Sequence, residues 1–226
     1  MITDHLPTYA ERLIRGRRAT RAFRPDPVPE ETLRAVFSLA GAAPSNSNTQ
    51  PWHVEVVSGV ARDRLGEALV AAHAQKNIST DFPYSEDLYR GTYQRRRQQA
   101  GEQLYAAVGI RREDHAAREA YNTESLRFYG APHVALLFTA PNAEVRMGAD
   151  VGIYAQTLLL AMTAYGIASC PQGLLSFYAD TIRAELGIQD RKILLGISFG
   201  YADSSSPANT VRVSRAELDE TTRFHS

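Results

Sequence analysis

Two short segments limit the fold of this 226-residue chain more than any other feature. Val134-Ala135-Leu136-Leu137-Phe138 is apolar at every position, and Ile193 to Phe199 is nearly so. A strand with one face in water alternates polar and apolar residues, so unbroken apolar runs of this length fit strands covered on both faces. Val151 to Tyr165, closed by Gly166, reads as a buried helix. Its Gln156, Thr157 and Thr163 leave it short of the roughly 20 apolar residues that a bilayer span needs. The architecture implied is α+β, with helices packed on a central sheet.

The flanking sequence fills in the rest. Leu6, Tyr9 and Leu13 keep helical spacing up to Gly16, expected as a left-handed cap. A second helix runs from Pro29-Glu30-Glu31 to Gly41, strand-like alternation from His53 to Val57, and a short helix from Asp180 to Gly187. Asp63 to Tyr129 reads as a polar, mostly helical excursion or lid, with Arg95-Arg96-Arg97 as a solvated face. From Asp203 onward the tail lacks the apolar density to fold alone. At about 150 residues per domain, and with no repeat or dividing linker, residues 1–226 are expected to form one domain.

Charge and cysteine usage exclude several functions. Twenty-five Lys and Arg balance twenty-five Asp and Glu, so nucleic acid and membrane are not expected partners and any anion preference must be local. Cys170 is the only cysteine, so neither an internal disulfide nor a cysteine-based zinc cluster can form. With no basic and apolar leader in Met1 to Pro7, a cytoplasmic protein is expected. Gly196-Ile197-Ser198-Phe199-Gly200 matches the hydrolase nucleophile elbow G-x-S-x-G, but Tyr201 to Pro207 cannot be the helix that motif requires. Ser198 is therefore read as part of a buried strand. No G-x-G-x-x-G or P-loop lysine motif is present, so a dinucleotide must bind another way.

Arg15, Arg17, Arg18, Arg21 and Arg24 crowd a helix end and loop in an otherwise neutral chain. Guanidinium forks match phosphate oxygens bidentately, and a flavin phosphate carries about −1.5 to −2 charges. The segment Ala43 to Trp52 adds short polar side chains and an indole held between Pro44 and Pro51, a rigid loop with donors suited to a heteroaromatic ring.

Together these residues resemble the FMN-dependent nitroreductase family. The resemblance is carried by Arg17-Arg18-Ala19-Thr20-Arg21-Ala22-Phe23, Pro27-Val28-Pro29, Ala43 to Trp52, and Gly166-Ile167-Ala168-Ser169-Cys170-Pro171-Gln172-Gly173. Phe128-Tyr129-Gly130-Ala131-Pro132 and the Tyr105 to Arg112 stretch look most like its nitrobenzene and nitrobenzoate reductase branch.

The resemblance implies a homodimer with a nitroreductase-like fold, whose mixed β-sheet is completed by the partner subunit's C-terminal tail. It places Arg17, Arg18 and the Ala19 backbone at the FMN phosphate and ribityl chain, and Arg21 near N1 and O2 of the ring. Pro44, Ser45, Asn46 and Asn48 would reach the FMN of the other subunit, and Gln172 and Gly173 would offer N–H groups to N5 and O4. Arg215, or Arg212, matches the tail arginine that returns to the phosphate. The family usually has serine at Ala19, so one hydroxyl contact is missing here. Ser214-Arg215-Ala216-Glu217 also fits a capping box, which would put Arg215 in a helix start.

The implied activity is transfer of electrons from NADH or NADPH, through FMN, to a small aromatic acceptor by a ping-pong mechanism without a catalytic side chain. Cys170, Trp52, His53 and His133 are read as packing residues. A dehalogenase or a quinone or enone reductase on the same fold, and a flavin-binding protein without turnover, remain alternatives.

Overall fold

A computed structural model describes residues 5–226; the leader reading of Met1 to Asp4 lies outside the described residues. The helices are α1 (Leu6–Gly16), α2 (Glu30–Ala40), α3 (Gly59–Ala74), α4 (Thr92–Ala107), α5 (His115–Leu126), α6 (Val145–Ala164), α7 (Ala179–Leu186) and α8 (Leu218–Thr221). The strands are β1 (His53–Ser58), β2 (His133–Thr139), β3 (Ala168–Gln172) and β4 (Lys192–Gly200), in sheet order β1-β2-β4-β3. All three pairings are antiparallel. Among the described residues, the parallel component expected of a mixed sheet is confined to isolated bridges, Ala19 with Ser169 and Ser79 with Tyr178.

The two apolar runs are the central strands, and β2 is buried along its whole length. Side chains alternate faces along a strand. Val134, Leu136 and Phe138 accordingly meet Leu65, Leu69 and Leu126 of α3 and α5 on one side. Ala135 and Leu137 meet Val36, Val151, Leu158 and Met162 of α2 and α6 on the other. In β4 the parity breaks: Ile193 faces the first layer, whereas Ile197 and Phe199 face the second. The register shift opposite Leu137 and Phe138 supplies the extra residue that turns the strand over.

Glycines in β4 have a packing reason. A Cβ on Gly196 would collide with Leu175 and press on Leu136, and one on Gly200 would lie 2.6 Å from the Pro132 ring. Ser198 between them is fully buried and donates to Gln172 Oε1. The G-x-S-x-G match is thus a strand squeezed between neighbours, with no exposed hydroxyl.

Several boundaries differ from the sequence reading. The sequence does not announce β3, because Ser169-Cys170-Pro171 lacks strand patterning; it is an edge strand, where proline is tolerated. Helix α3 begins at Gly59 and α6 at Val145, both earlier than their apolar residues suggest. The stretch 63–129 splits in two: α3 buries Leu65, Leu69 and Ala72 in the core, whereas α4 buries nothing. In the triple, Arg96 pairs with Glu220 of the tail and Arg97 with Glu86. Gly16 is the last helical residue of α1 and takes no left-handed turn; the chain leaves in extended geometry at Arg17.

His133 and Trp52 pack as expected. His133 Nε2 accepts the Val28 N–H at 2.9 Å, which leaves the proton on Nδ1 to donate to Ser58 Oγ. Burial, and then Arg62, lower its pKa and keep the ring neutral. Trp52 stacks on Tyr154 with ring centroids 5.0 Å apart. His53 is half-exposed beside Glu55.

Candidate functional site

The arginine-rich segment is strapped along the open edge of the sheet. The Thr20 N–H donates to Ser169 O of β3 at 2.9 Å, the Arg24 N–H to Tyr201 O at 2.9 Å, and the Asp203 N–H to Ala22 O at 3.0 Å. Asn209 of the tail locks the same segment: its Oδ1 accepts the Arg21 N–H at 2.7 Å, and its Nδ2 donates to Ala22 O and Asp203 O. Sequence reasoning missed Asn209, since a lone asparagine in a polar tail carries no pattern.

This strapping gathers the arginines. Arg17, Arg18, Arg21, Arg212 and Arg215 line one cleft of about 1050 Å³, together with Ala19. Arg17, Arg18 and Arg212 also border an adjoining cleft of about 540 Å³ against Gly166 to Ser169. Among the described residues, none of these five guanidinium groups has a carboxylate partner. Arg18, Arg212 and Arg215 reach only backbone carbonyls. The two acids of the larger cleft are engaged elsewhere, Glu11 with Arg15 and Glu217 with the start of α8. Burial, and then the Arg215 charge, lower the pKa of Arg17. Convergent cations without counter-charge make a site for a strong anion.

The capping box lies three residues later than expected. Glu217 and Glu220 form it, so Arg215 sits in the extended segment before α8 and is free to face Arg17. Both tail candidates line the cleft, and Arg215 is the one felt by Arg17.

At the far end of β3, both polar ends of the Gln172 side chain are occupied: Nε2 donates to Ser125 O at 2.7 Å and Oε1 accepts from Ser198. Only its backbone can serve a ligand. Gly173 is exposed, and a Cβ there would meet nothing within 4 Å, so open space adjoins this turn. The Ala19 N–H donates to no acceptor among the described residues. Cys170 is buried, and its thiol is pushed up to about 11 by burial despite Arg21 and Arg17 nearby, so it is protonated and inert at neutral pH.

The second loop does not join this site within one chain. Ser45 and Asn46 sit in a turn in which Ser47, Asn48 and Gln50 take positive φ, fixed by Gln50 N–H to Ser45 Oγ at 2.9 Å and Asn46 N–H to Asp150 Oδ1 at 3.1 Å. Asn46 lines a separate cleft at the start of α6, which shares no residue with the arginine clefts. Asn46 thus faces a different cleft, and Pro44, Ser45 and Asn48 line neither arginine cleft. No group of three or more potential metal ligands occurs among the described residues.

Comparison with known proteins agrees with this geometry. The sequence model of the Nitroreductase family matches residues 14–201. The chain is 68% identical over 222 residues to nitroreductase NfnB of Mycolicibacterium smegmatis, covering 98% of this chain and 95% of that protein. It is 35% identical to nitrobenzene nitroreductase of Ectopseudomonas oleovorans, covering 97% of this chain and 99% of that one. The crystal structure of the FMN-dependent nitroreductase NfnB from Mycobacterium smegmatis in complex with NADPH superposes with a TM-score of 0.96, at 68% identity and over 98% of this chain and 100% of that one. A family match spanning most of the sequence, a shared fold and a relative this similar over nearly its whole length leave one conclusion: the chain belongs to the nitroreductase family.

Proposed function

We propose that the protein is an FMN-dependent oxidoreductase that uses NADH or NADPH to reduce nitroaromatic or related aromatic acceptors, working as a homodimer in the cytoplasm. The observation that carries this reading is the cleft in which five arginines converge without a carboxylate partner. The residues fit the phosphate of FMN. Arg17, Arg18 and the free Ala19 N–H would hold the phosphate and ribityl chain from the loop, with Arg215 and Arg212 closing from the tail. The two forks and the N–H groups would replace the serine hydroxyl that Ala19 lacks.

Bound there, FMN would supply two-electron hydride chemistry at N5. The chain's own residues bind and orient. Arg21 would put positive charge at the N1 and O2 edge, where negative charge gathers on reduction, and the Gln172 and Gly173 backbone would offer N–H groups toward N5 and O4. No side chain has to act as nucleophile, and the protonated Cys170 thiol cannot. The relative's NADPH complex supports a nicotinamide donor here, and relatives named for nitrobenzene and chloronitrobenzene support an aromatic acceptor.

A second subunit would bring the Pro44 to Asn48 loop to the flavin. Helix α1 supports this assembly: none of its residues is buried, and Leu6, Tyr9 and Ile14 are exposed. The tail beyond Thr210 also buries nothing, and Phe224 is 83% exposed. Apolar side chains left bare in this way mark an interface.

The test is steady-state oxidation of NADH and NADPH, measured separately, with nitroarenes, halophenols, quinones and enones as acceptors. Turnover with nitroarenes and parallel double-reciprocal lines are expected, because one cleft admits the two co-substrates in turn. Intersecting lines would refute the shared cleft. Bound flavin without turnover on any acceptor would identify a binding protein.

A further inference from the structure

Asp150 is the one carboxylate among the buried described residues, and it takes no part in the cofactor contacts above. Burying a carboxylate without a partner is costly. Its partner here is a backbone group: Oδ1 accepts the Asn46 N–H at 3.1 Å. Asn46 opens a contorted stretch. Three of the next four residues, Ser47, Asn48 and Gln50, take φ of 51°, 57° and 48°, and none is glycine. Such backbone persists only where its surroundings hold it, and it gathers at ligand clamps. Bonds within the turn, from the Asn48 N–H to Ser45 O at 3.0 Å and from the Gln50 N–H to Ser45 Oγ at 2.9 Å, set its shape without tying it to the rest of the fold.

The outside attachment is one face of α6. Tyr154 stands one helical turn beyond Asp150, hence on the same face, and stacks on Trp52 at the far end of the loop with ring centroids 5.0 Å apart. Val151, Leu158 and Met162 fix α6 in the second core layer. Between the two grips, Asn46 to Gln50 stay exposed. We propose that Asp150 is a positioning residue for the flavin of the partner subunit: by holding the Asn46 backbone, it keeps the Pro44 to Asn48 turn in the shape that meets a cofactor seated in the other chain's arginine cleft. A carboxylate suits this task, because a charged acceptor holds an N–H more strongly than a neutral one. A turn fixed before the flavin arrives also spares the ordering cost of binding.

This inference rests on the proposed dimer, in which each loop reaches the other chain's FMN, and co-expressed mixed dimers of full-length chains separate the two. Fluorescence titration gives FMN affinity, and light scattering checks that each variant remains a dimer. Asp150→Ala should weaken FMN binding about tenfold, the worth of one hydrogen bond to the ligand, and Asp150→Asn, whose neutral amide still accepts the N–H, by less. In a dimer with Asp150→Ala in one chain and Arg17→Ala in the other, one site keeps both an intact cleft and a firmly held loop. One FMN per dimer should then bind with the affinity of the unaltered protein. With both changes in one chain and an unaltered partner, neither site should reach that affinity. The reverse pattern would overturn the cross-subunit role, as would unchanged affinity in Asp150→Ala. If Asp150→Ala forms no folded dimer, Asp150→Asn is carried through the same mixed dimers, with the same pattern expected at a smaller loss. Asn46→Ala combined with Asn48→Ala tests the loop's placement by itself. Unchanged affinity there overturns that placement and the inference with it, whereas weakened affinity there beside an unaffected Asp150→Ala overturns the positioning role alone.

Discussion

Replacing Arg17 with alanine should push the free and FMN-bound proteins in opposite directions. In the bound protein, each charge-assisted hydrogen bond to phosphate is worth about 1.5–3 kcal/mol. At 1.4 kcal/mol per factor of ten, FMN affinity should fall about ten- to hundredfold. In the free protein, Arg17 is partly buried, with Arg215 beside it and no carboxylate among the described residues. Burial first, and then Arg215, lower its pKa, so folding disfavours its positive charge. An arginine stays protonated throughout the ordinary pH range, so this penalty applies at every working pH.

Losing the guanidinium should therefore leave apoprotein stability unchanged or slightly raised, while stabilisation by a fixed excess of FMN shrinks by the same 1.5–3 kcal/mol or so. For a chain of this size, about 2–4 °C per kcal/mol converts that loss to roughly 3 to 12 °C in the FMN-saturated melting temperature. Thermal melts with and without FMN, paired with a fluorescence titration of the flavin, read both effects. Turnover should return in saturating FMN. If the apoprotein lost as much stability as the holoprotein while FMN affinity stayed unchanged, the claim that Arg17 anchors phosphate would fail.

Three further outcomes are expected. Cys170 should resist iodoacetamide in the native protein at pH 8 and react on unfolding. Its thiol is raised to about 11 by burial, so its contribution to stability is full below the ordinary thiol pKa near 9 and is lost as pH climbs toward 11; rapid native alkylation at pH 8 contradicts this. Tyr121→Phe removes a buried hydroxyl that has no partner among the described residues, so the melting temperature should stay level or rise, whereas a loss of stability of more than about 1 kcal/mol would reveal a hidden partner. Deletion from Asp203 onward removes Asn209, Arg212 and Arg215 together, and light scattering with absorbance should show loss of both dimer and flavin. A flavin-loaded, monodisperse monomer would contradict the assembly.

The parts legible in the sequence are those where one physical effect dominates. β2, β4 and α6 announce themselves because burial on both faces demands continuous apolar sequence, and the arginine loop stands out against a neutral chain. β3 escaped because Ser169, Cys170 and Pro171 resemble a loop, and an edge strand does not penalise that composition. The bulge at β4 inverts which residues face which layer, and only pairing with β2 reveals it. Asn209 joins Ala22 across almost the whole chain length, a contact that no local pattern encodes. The separation of the Asn46 cleft from the arginine cleft likewise needed three dimensions.

The central claim, that the converging arginines hold an FMN phosphate, is tested most directly by identifying and counting the chromophore that the purified protein releases on denaturation. The account requires a yellow protein whose released flavin has the mass of FMN, approaching one per chain once FMN has been supplied. Release of FAD, or no flavin even after incubation with FMN, would contradict it.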